Sequence, residues 1–147
     1  MALHYLTVQD VLWINLQVTG KPQEFRYADL EEATFYQYAY GESNSLVPQA
    51  ARFLSGFLKK KPFATGNEAT AFAAGLAFLK ANGYQFRGED AGSWFDEVSN
   101  GTHEAQAAIE KDFYEAPDDH HVEIRDAIAS VLADQKAAVE KLSAVVA

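Results

Sequence analysis

Apolar residues recur at steps of three and four positions along most of the chain. This spacing places them on one face of an α-helix and predicts an all-α fold. The segments with this pattern are residues 8–20, 46–60, 67–82, 94–98, 102–114 and 119–147. No repeat or long linker interrupts them, so we expect residues 1–147 to form a single domain.

Local signals bound several of these helices. Thr7, three residues before Asp10, predicts a capping arrangement for the first helix, which should end near Gly20. Asn82 and Gly83 predict the end of the fourth helix, residues 67–82. Small residues that let other helices approach closely recur along this helix: Ala71, Ala73, Ala74, Gly75 and Ala77. It should therefore be the central helix, followed by a loop over residues 86–92.

Residues 26–40 leave two alternatives open. The run LEEATFYQYAY suits a short helix, but its aromatic residues also alternate as in a strand. These aromatics are Phe35, Tyr36, Tyr38 and Tyr40. They could form an exposed strip that recognises a peptide, or pack into the core.

The C-terminal segment carries one long apolar stripe. Its members are Ile124, Ile128, Val131, Ala138, Leu142 and Val145, and only Gln135 interrupts the spacing. We expect one long helix from about residue 119 to residue 147, longer than the average helix of about 11–12 residues. This helix either folds back on the domain or pairs with a second copy in a homodimer.

Composition excludes several classes of function. The 147-residue chain contains no cysteine, which excludes disulfides, thiolate zinc sites and a cysteine nucleophile. Its net charge of −9 opposes binding to nucleic acid. The N-terminal sequence lacks the features of a signal peptide, and no apolar run approaches the length of a membrane span. We expect a cytoplasmic protein without a membrane or nucleic-acid partner.

One cluster suggests a metal site. Asp118, Asp119, His120 and His121 are residue types that bind metals. Adjacent histidines at a helix start point in different directions, however, and the aspartates suit a helix cap. We therefore expect no metal site.

The most informative stretch is residues 61–71, KPFATGNEATA, which joins two predicted helices. Gly66 and Asn67 form a turn that leads into a helix, where backbone N–H groups can bind an anion. Lys59, Lys60 and Lys61 precede the turn and could form a phosphate patch with Arg52. Such a run also suits a solvated helix end.

This stretch resembles the core motif of the Fic/Doc (Fido domain) family, which reads H-P-F-x-D-G-N-K-R-T-A. LTVQDVLWIN and FRYADLEEA resemble segments of the Doc-like, or death-on-curing, branch. The resemblance covers roughly residues 6–86. It implies a compact helical fold with the motif loop between two central helices, and a small β flap within residues 35–46 that aligns a target segment.

The resemblance also assigns roles to motif positions. In active members the histidine is the general base, the acidic residue holds magnesium, the glycine and asparagine shape an anion hole, and the basic residues bind phosphate. The positions of this chain that match are Pro62, Phe63, Gly66, Asn67, Thr70 and Ala71. Lys61, Thr65, Glu68 and Ala69 instead stand at the histidine, acidic and basic positions.

Each exchange removes one part of the chemistry. A protonated Lys61 cannot accept a proton, and Thr65 offers one neutral oxygen where magnesium prefers a carboxylate. Glu68 repels an anion, and Ala69 lacks the guanidinium fork that binds phosphate. We therefore expect no catalytic residue and no cofactor. The site residues Phe63, Thr65, Gly66, Asn67, Glu68 and Ala69 form the remnant of a nucleotide loop.

Two classes of function follow from the resemblance. The first is a catalytically degenerate Doc-like protein, a pseudoenzyme that binds a protein or peptide partner. The alternative is a divergent enzyme that transfers AMP or phosphate from ATP, with magnesium, to a protein hydroxyl, or the toxin of a toxin-antitoxin pair with an antitoxin-like partner.

Overall fold

The computed structural model describes residues 4–38, 46–87, 91–115 and 122–143. Within these ranges the chain forms eight helices and one antiparallel two-stranded sheet. The elements are α1 (Val8–Thr19), α2 (Tyr27–Phe35), α3 (Leu46–Lys60), α4 (Asn67–Ala81), β1 (Tyr84–Phe86), α5 (Ala91–Val98), α6 (Thr102–Asp112), β2 (Phe113–Glu115), α7 (Ile124–Asp134) and α8 (Lys136–Ser143). The predominantly helical fold predicted from apolar spacing is confirmed.

Helix α4 occupies the centre of the fold, as predicted. Only Glu68 and Lys80 of its residues are not buried, and α1, α3, α7 and α8 pack around it. At Gly75 the side chain of Leu54 in α3 fills the place that a Cβ would need. The small residues of α4 therefore allow the close helix packing that the sequence predicts.

The predicted caps of α1 are present. The Thr7 side chain accepts a hydrogen bond from the Asp10 backbone N–H at 3.0 Å, and the Asp10 carboxylate accepts one from the Thr7 N–H at 2.9 Å. Gly20 ends the helix in the left-handed conformation, with φ 81°. The carboxylate of Asp10 is buried and also pairs with the Arg125 guanidinium at 2.5 Å, which ties α1 to α7.

The ambiguous segment is resolved in favour of a helix over its first part. Leu30, Ala33 and Thr34 are the buried residues of α2, which packs on α3. Of the four aromatics that follow, Phe35 is exposed and the Tyr36 ring packs against Gly56 of α3. The flap predicted within residues 35–46 lies mostly outside the described residues, as does Tyr40.

The described sheet lies elsewhere in the chain. Residue 86 was predicted to begin a loop and residues 113–114 to end a helix, but these residues belong to β1 and β2, which pair with Phe86 opposite Phe113. Trp94 packs edge-on against both rings, with centroid distances of 6.3 and 5.1 Å. These ring contacts pack the sheet against α5.

The prediction of a single C-terminal helix over residues 119–147 is wrong. Among the described residues α7 begins only at Ile124 and ends at Asp134, and Gln135 separates it from α8. The break lets α8 pack on α4 and α1, where Val139 is buried and the Ser143 hydroxyl donates to the Val18 carbonyl at 2.9 Å. An unbroken helix would carry these residues away from the domain. Of the two predicted alternatives, folding back is the one seen for α8.

Candidate functional site: the motif loop

The motif loop, residues 61–66, begins with a helix stop. Lys61 has φ 46° and is the only described residue other than glycine with a positive φ. Its N–H donates to the Phe57 carbonyl at 3.0 Å, and Pro62 follows. A left-handed residue followed by proline is a common way to end an α-helix. Lys61 therefore terminates α3, and its side chain extends into solvent.

Asn67 closes the loop from within. Its side-chain oxygen accepts a hydrogen bond from the Phe63 N–H at 3.0 Å, and its amide nitrogen donates to the Phe63 carbonyl at 2.8 Å. Both residues are buried, and the Phe63 ring packs against Phe57. The side-chain amide of Asn67 is thus the hydrogen-bond partner of both the N–H and the carbonyl of Phe63, a role that backbone groups usually have.

Helix α1 supports the same loop from the other side. The Asn15 amide nitrogen donates to the Thr65 carbonyl at 3.2 Å and to the Thr70 hydroxyl at 3.1 Å. Gly66, with φ 79°, faces Thr19, whose methyl group occupies the place of a Cβ. Glycine is therefore required here by both its backbone conformation and its packing. Asn15 was not predicted as a site residue, although it is a polar residue on the buried face of α1.

A short bridging segment, residues 24–26, pairs with the open edge of the loop. The Arg26 N–H donates to the Pro62 carbonyl at 2.9 Å, and the Ala64 N–H donates to the Glu24 carbonyl at 2.8 Å. The Arg26 guanidinium also donates to the carbonyls of Lys60 and Lys61, at 2.8 and 2.7 Å. These carbonyls are at the end of α3, where a cation is favourable. The backbone edge of the loop is thus already occupied by the chain itself.

The exchanged positions differ in their surroundings. Lys61 and Thr65 are exposed, Glu68 is partly buried and Ala69 is fully buried. The Thr65 hydroxyl donates to the Gln23 side chain at 2.8 Å. Because Ala69 has no solvent access, a long basic side chain at this position would displace its neighbours. Position 69 therefore supplies no side chain that could bind a phosphate.

Helix α4 begins without a capping side chain, and Glu68 in its first turn places a carboxylate there. A negative charge suits this end of the helix dipole and disfavours a second anion at the same place. Among the described residues no group of three or more histidine, aspartate or glutamate side chains could hold a metal ion. The cluster at residues 118–121 lies outside the described residues.

The lysines before the loop do not come together in one phosphate-binding patch. The Lys60 ammonium pairs with the Glu32 carboxylate at 2.6 Å, which lowers the pKa of Glu32 and raises that of Lys60 through their hydrogen bond. The Arg52 guanidinium donates to the Tyr38 carbonyl at 2.9 Å. Two of the four cations of the predicted phosphate patch are thus bound to other groups, while Lys59 and Lys61 are exposed.

An apolar groove lies beside the loop. This loop groove has a volume of about 230 Å³ and is lined by Leu12, Trp13, Asn15, Leu16, Pro22, Gln23, Phe25 and Phe63. Leu16 and Phe25 are 37% and 42% exposed, and Tyr27 next to the bridging segment is 58% exposed. The groove is thus an accessible apolar surface that shares Phe63 with the motif loop.

Comparison with protein-family models, curated proteins and solved structures gave no match for this chain. In the described part of the chain, every helix is too short or too polar to cross a membrane. The resemblance to the Fic/Doc family therefore rests on the sequence motif alone and stays a prediction.

Proposed function

We propose that this chain is a catalytically inactive, Doc-like Fido protein that binds a segment of another protein in the loop groove. The observation that carries the proposal is the exposed apolar surface of Leu16 and Phe25 directly beside the motif loop. Large exposed apolar side chains that line a groove are typical of protein-binding sites.

The state of the loop supports binding rather than catalysis. Lys61 serves as a helix stop, the Thr65 hydroxyl is engaged by Gln23, and Glu68 places a carboxylate at the start of α4. Catalysis would need a proton acceptor at position 61, a metal ligand at position 65 and no negative charge at position 68.

The charges near the groove indicate the chemistry of the partner. Lys21, next to Pro22 and Gln23 of the groove, is exposed, and so is Lys61 in the motif loop. The Gln23 side chain links the two segments, because its amide donates to the Lys21 carbonyl at 3.3 Å and its oxygen accepts from the Thr65 hydroxyl at 2.8 Å. We therefore propose a partner segment with aliphatic or aromatic anchors flanked by acidic residues. An antitoxin-like peptide is a partner of this kind.

Selection of peptides from a displayed random library against the immobilised full chain tests this proposal. Phe25→Ala should weaken binding of the selected peptides by at least about tenfold, a loss of about 1.4 kcal/mol. Tyr114→Ala is the matched control, because Tyr114 is exposed to the same extent, 43%, on the β1–β2 sheet. Selected peptides that bind both variants and the unaltered protein equally would contradict the proposal.

The alternative is a divergent transferase or toxin, and a titration with ATP separates it from the first proposal. We expect no heat of binding with or without magnesium, and no transfer of label from ATP to protein. Micromolar ATP binding, or transfer that is lost in Lys61→Ala, would favour the enzyme.

A further inference from the structure

A larger cavity lies at the opposite end of α4 from the motif loop. It has a volume of about 520 Å³, is open to solvent on one side and is lined by the end of α4, the β1–β2 sheet and the end of α7. The 15 residues of α4 span about 22 Å, at about 1.5 Å per residue. The cavity is therefore separate from the loop groove, and its size is typical of small-molecule pockets.

One wall of this cavity is apolar and well supported, while Tyr84, Gln85 and Gln135 add polar groups elsewhere in the lining. Leu76, Phe113 and Val131 line it and are buried, and Phe86 is partly buried beside them. The rings of Phe86 and Phe113 pack with a centroid distance of 5.3 Å, and Trp94 packs edge-on against both rings. Because these rings are already packed, an apolar group of a ligand could contact them without any movement of the side chains.

The rim carries one positive and one negative side chain. The Lys80 ammonium and the Asp134 carboxylate both line the cavity, 3.8 Å apart, with side chains that are 41% and 64% exposed. A charge-assisted hydrogen bond is about 2.7–2.9 Å long, so this pair is not closely joined. The Asp134 oxygen nearest Lys80 also accepts from the Ser130 hydroxyl at 3.3 Å, which leaves its second oxygen and the Lys80 ammonium to bind opposite charges on a ligand.

We propose that this cavity binds a small zwitterion of the amino-acid class with a large apolar side chain. The ligand carboxylate pairs with Lys80, its ammonium with Asp134, and its side chain packs among Leu76, Phe113 and Val131. A ligand with a single charge is a poorer fit, because an anion would face Asp134 and a cation would face Lys80 at short range.

Calorimetric or NMR titration of the full chain with three related compounds tests the ligand class. L-Phenylalanine carries both charges, hydrocinnamate only the carboxylate and phenethylamine only the ammonium. We expect a Kd on the order of 1 mM for L-phenylalanine, given its few atoms, and at least about tenfold weaker binding of the other two. Absence of saturable L-phenylalanine binding, or equal affinity for all three, would overturn the proposal.

Variants place the binding at this cavity. Lys80→Met keeps the apolar stem and removes the charge, while Val131→Phe fills the cavity; both should weaken L-phenylalanine binding by at least about tenfold. Lys59→Met is the control, since it removes the same charge from an exposed site on α3 and should leave affinity unchanged. Lys80 is partly exposed, so its variant should fold even where the Val131 variant does not. Unaltered affinity in Lys80→Met would contradict the proposal, whatever the state of the motif loop.

Discussion

Removal of the Asn67 side chain tests whether the motif loop is held from within. The amide of Asn67 satisfies both backbone polar groups of Phe63, at 3.0 and 2.8 Å, and only 1% and 3% of the two residues is exposed. In Asn67→Ala the N–H and the carbonyl of Phe63 would remain buried without a partner. The change should therefore destabilise the whole domain, because the loop joins α3 to the central helix.

The size of the effect follows from the two groups left unpaired. A buried polar group without a partner costs about 1–3 kcal/mol, so the pair costs about 2–6 kcal/mol. Alanine has a higher helix propensity than asparagine, which offsets about 0.5 kcal/mol. We expect a net loss of about 2–5 kcal/mol, a large share of the roughly 5–15 kcal/mol that stabilises a typical domain.

Urea unfolding followed by circular dichroism measures this loss. Asn100→Ala is the matched control, because Asn100 is exposed just after α5 and should change stability by less than about 0.5 kcal/mol. Hydrogen exchange at the Phe63 amide should also become faster in Asn67→Ala. A loss below about 1 kcal/mol with an unchanged urea dependence would refute the proposed role of Asn67.

Three further predictions concern other parts of the chain. Lys61→Gly should leave the protein as stable as before or up to about 1 kcal/mol more stable in urea, whereas Lys61→Val should lose about 1–2 kcal/mol, because the left-handed backbone is unfavourable for branched side chains. Truncation after Ala133 should give a monomer that is less stable by about 2–4 kcal/mol, since it removes the buried Val139; light scattering that shows a dimer before truncation would contradict this. Glu32 has a lowered pKa, so its pair with Lys60 contributes stability above the unfolded pKa, near 4.5, and loses it as the pH falls through the lower folded value. Glu32→Gln should therefore show a smaller loss of stability between pH 5 and 3, as measured by urea unfolding at each pH.

The sequence predicts the long helices well, because their signals are local. The capping residues of α1, the apolar spacing of α3 and the small residues of α4 all lie within the elements that they define. The two strands were missed because three residues are too few to show a period of two. Gln135 is visible in the sequence as an interruption of the apolar stripe, but helical spacing resumes after it, so the packing of α8 on α1 and α4 is what shows the break.

The site was predicted only in part, for a similar reason. The loop and its exchanged residues are visible in one continuous stretch of sequence. Asn15 and Arg26 contact that loop from 50 and 35 residues away, through hydrogen bonds that no sequence spacing indicates. The one signal for Asn15 is its polarity among the buried apolar residues of α1, and a buried asparagine needs partners.

Most residues that match the family motif stabilise the loop in this chain. Their presence alone is therefore not evidence of transferase activity. The Pro62 carbonyl accepts from Arg26, Asn67 holds Phe63, and Gly66 packs against α1. By contrast the exchanged positions 61 and 65 are exposed and position 68 is partly exposed, whereas the fourth, Ala69, is fully buried. Because the matched residues hold the loop together, stability alone would retain them, whereas an exposed side chain such as Thr65 is freer to vary. The matched positions therefore have a structural explanation within this chain, and the loss of transfer activity stays a prediction from positions 61, 65, 68 and 69.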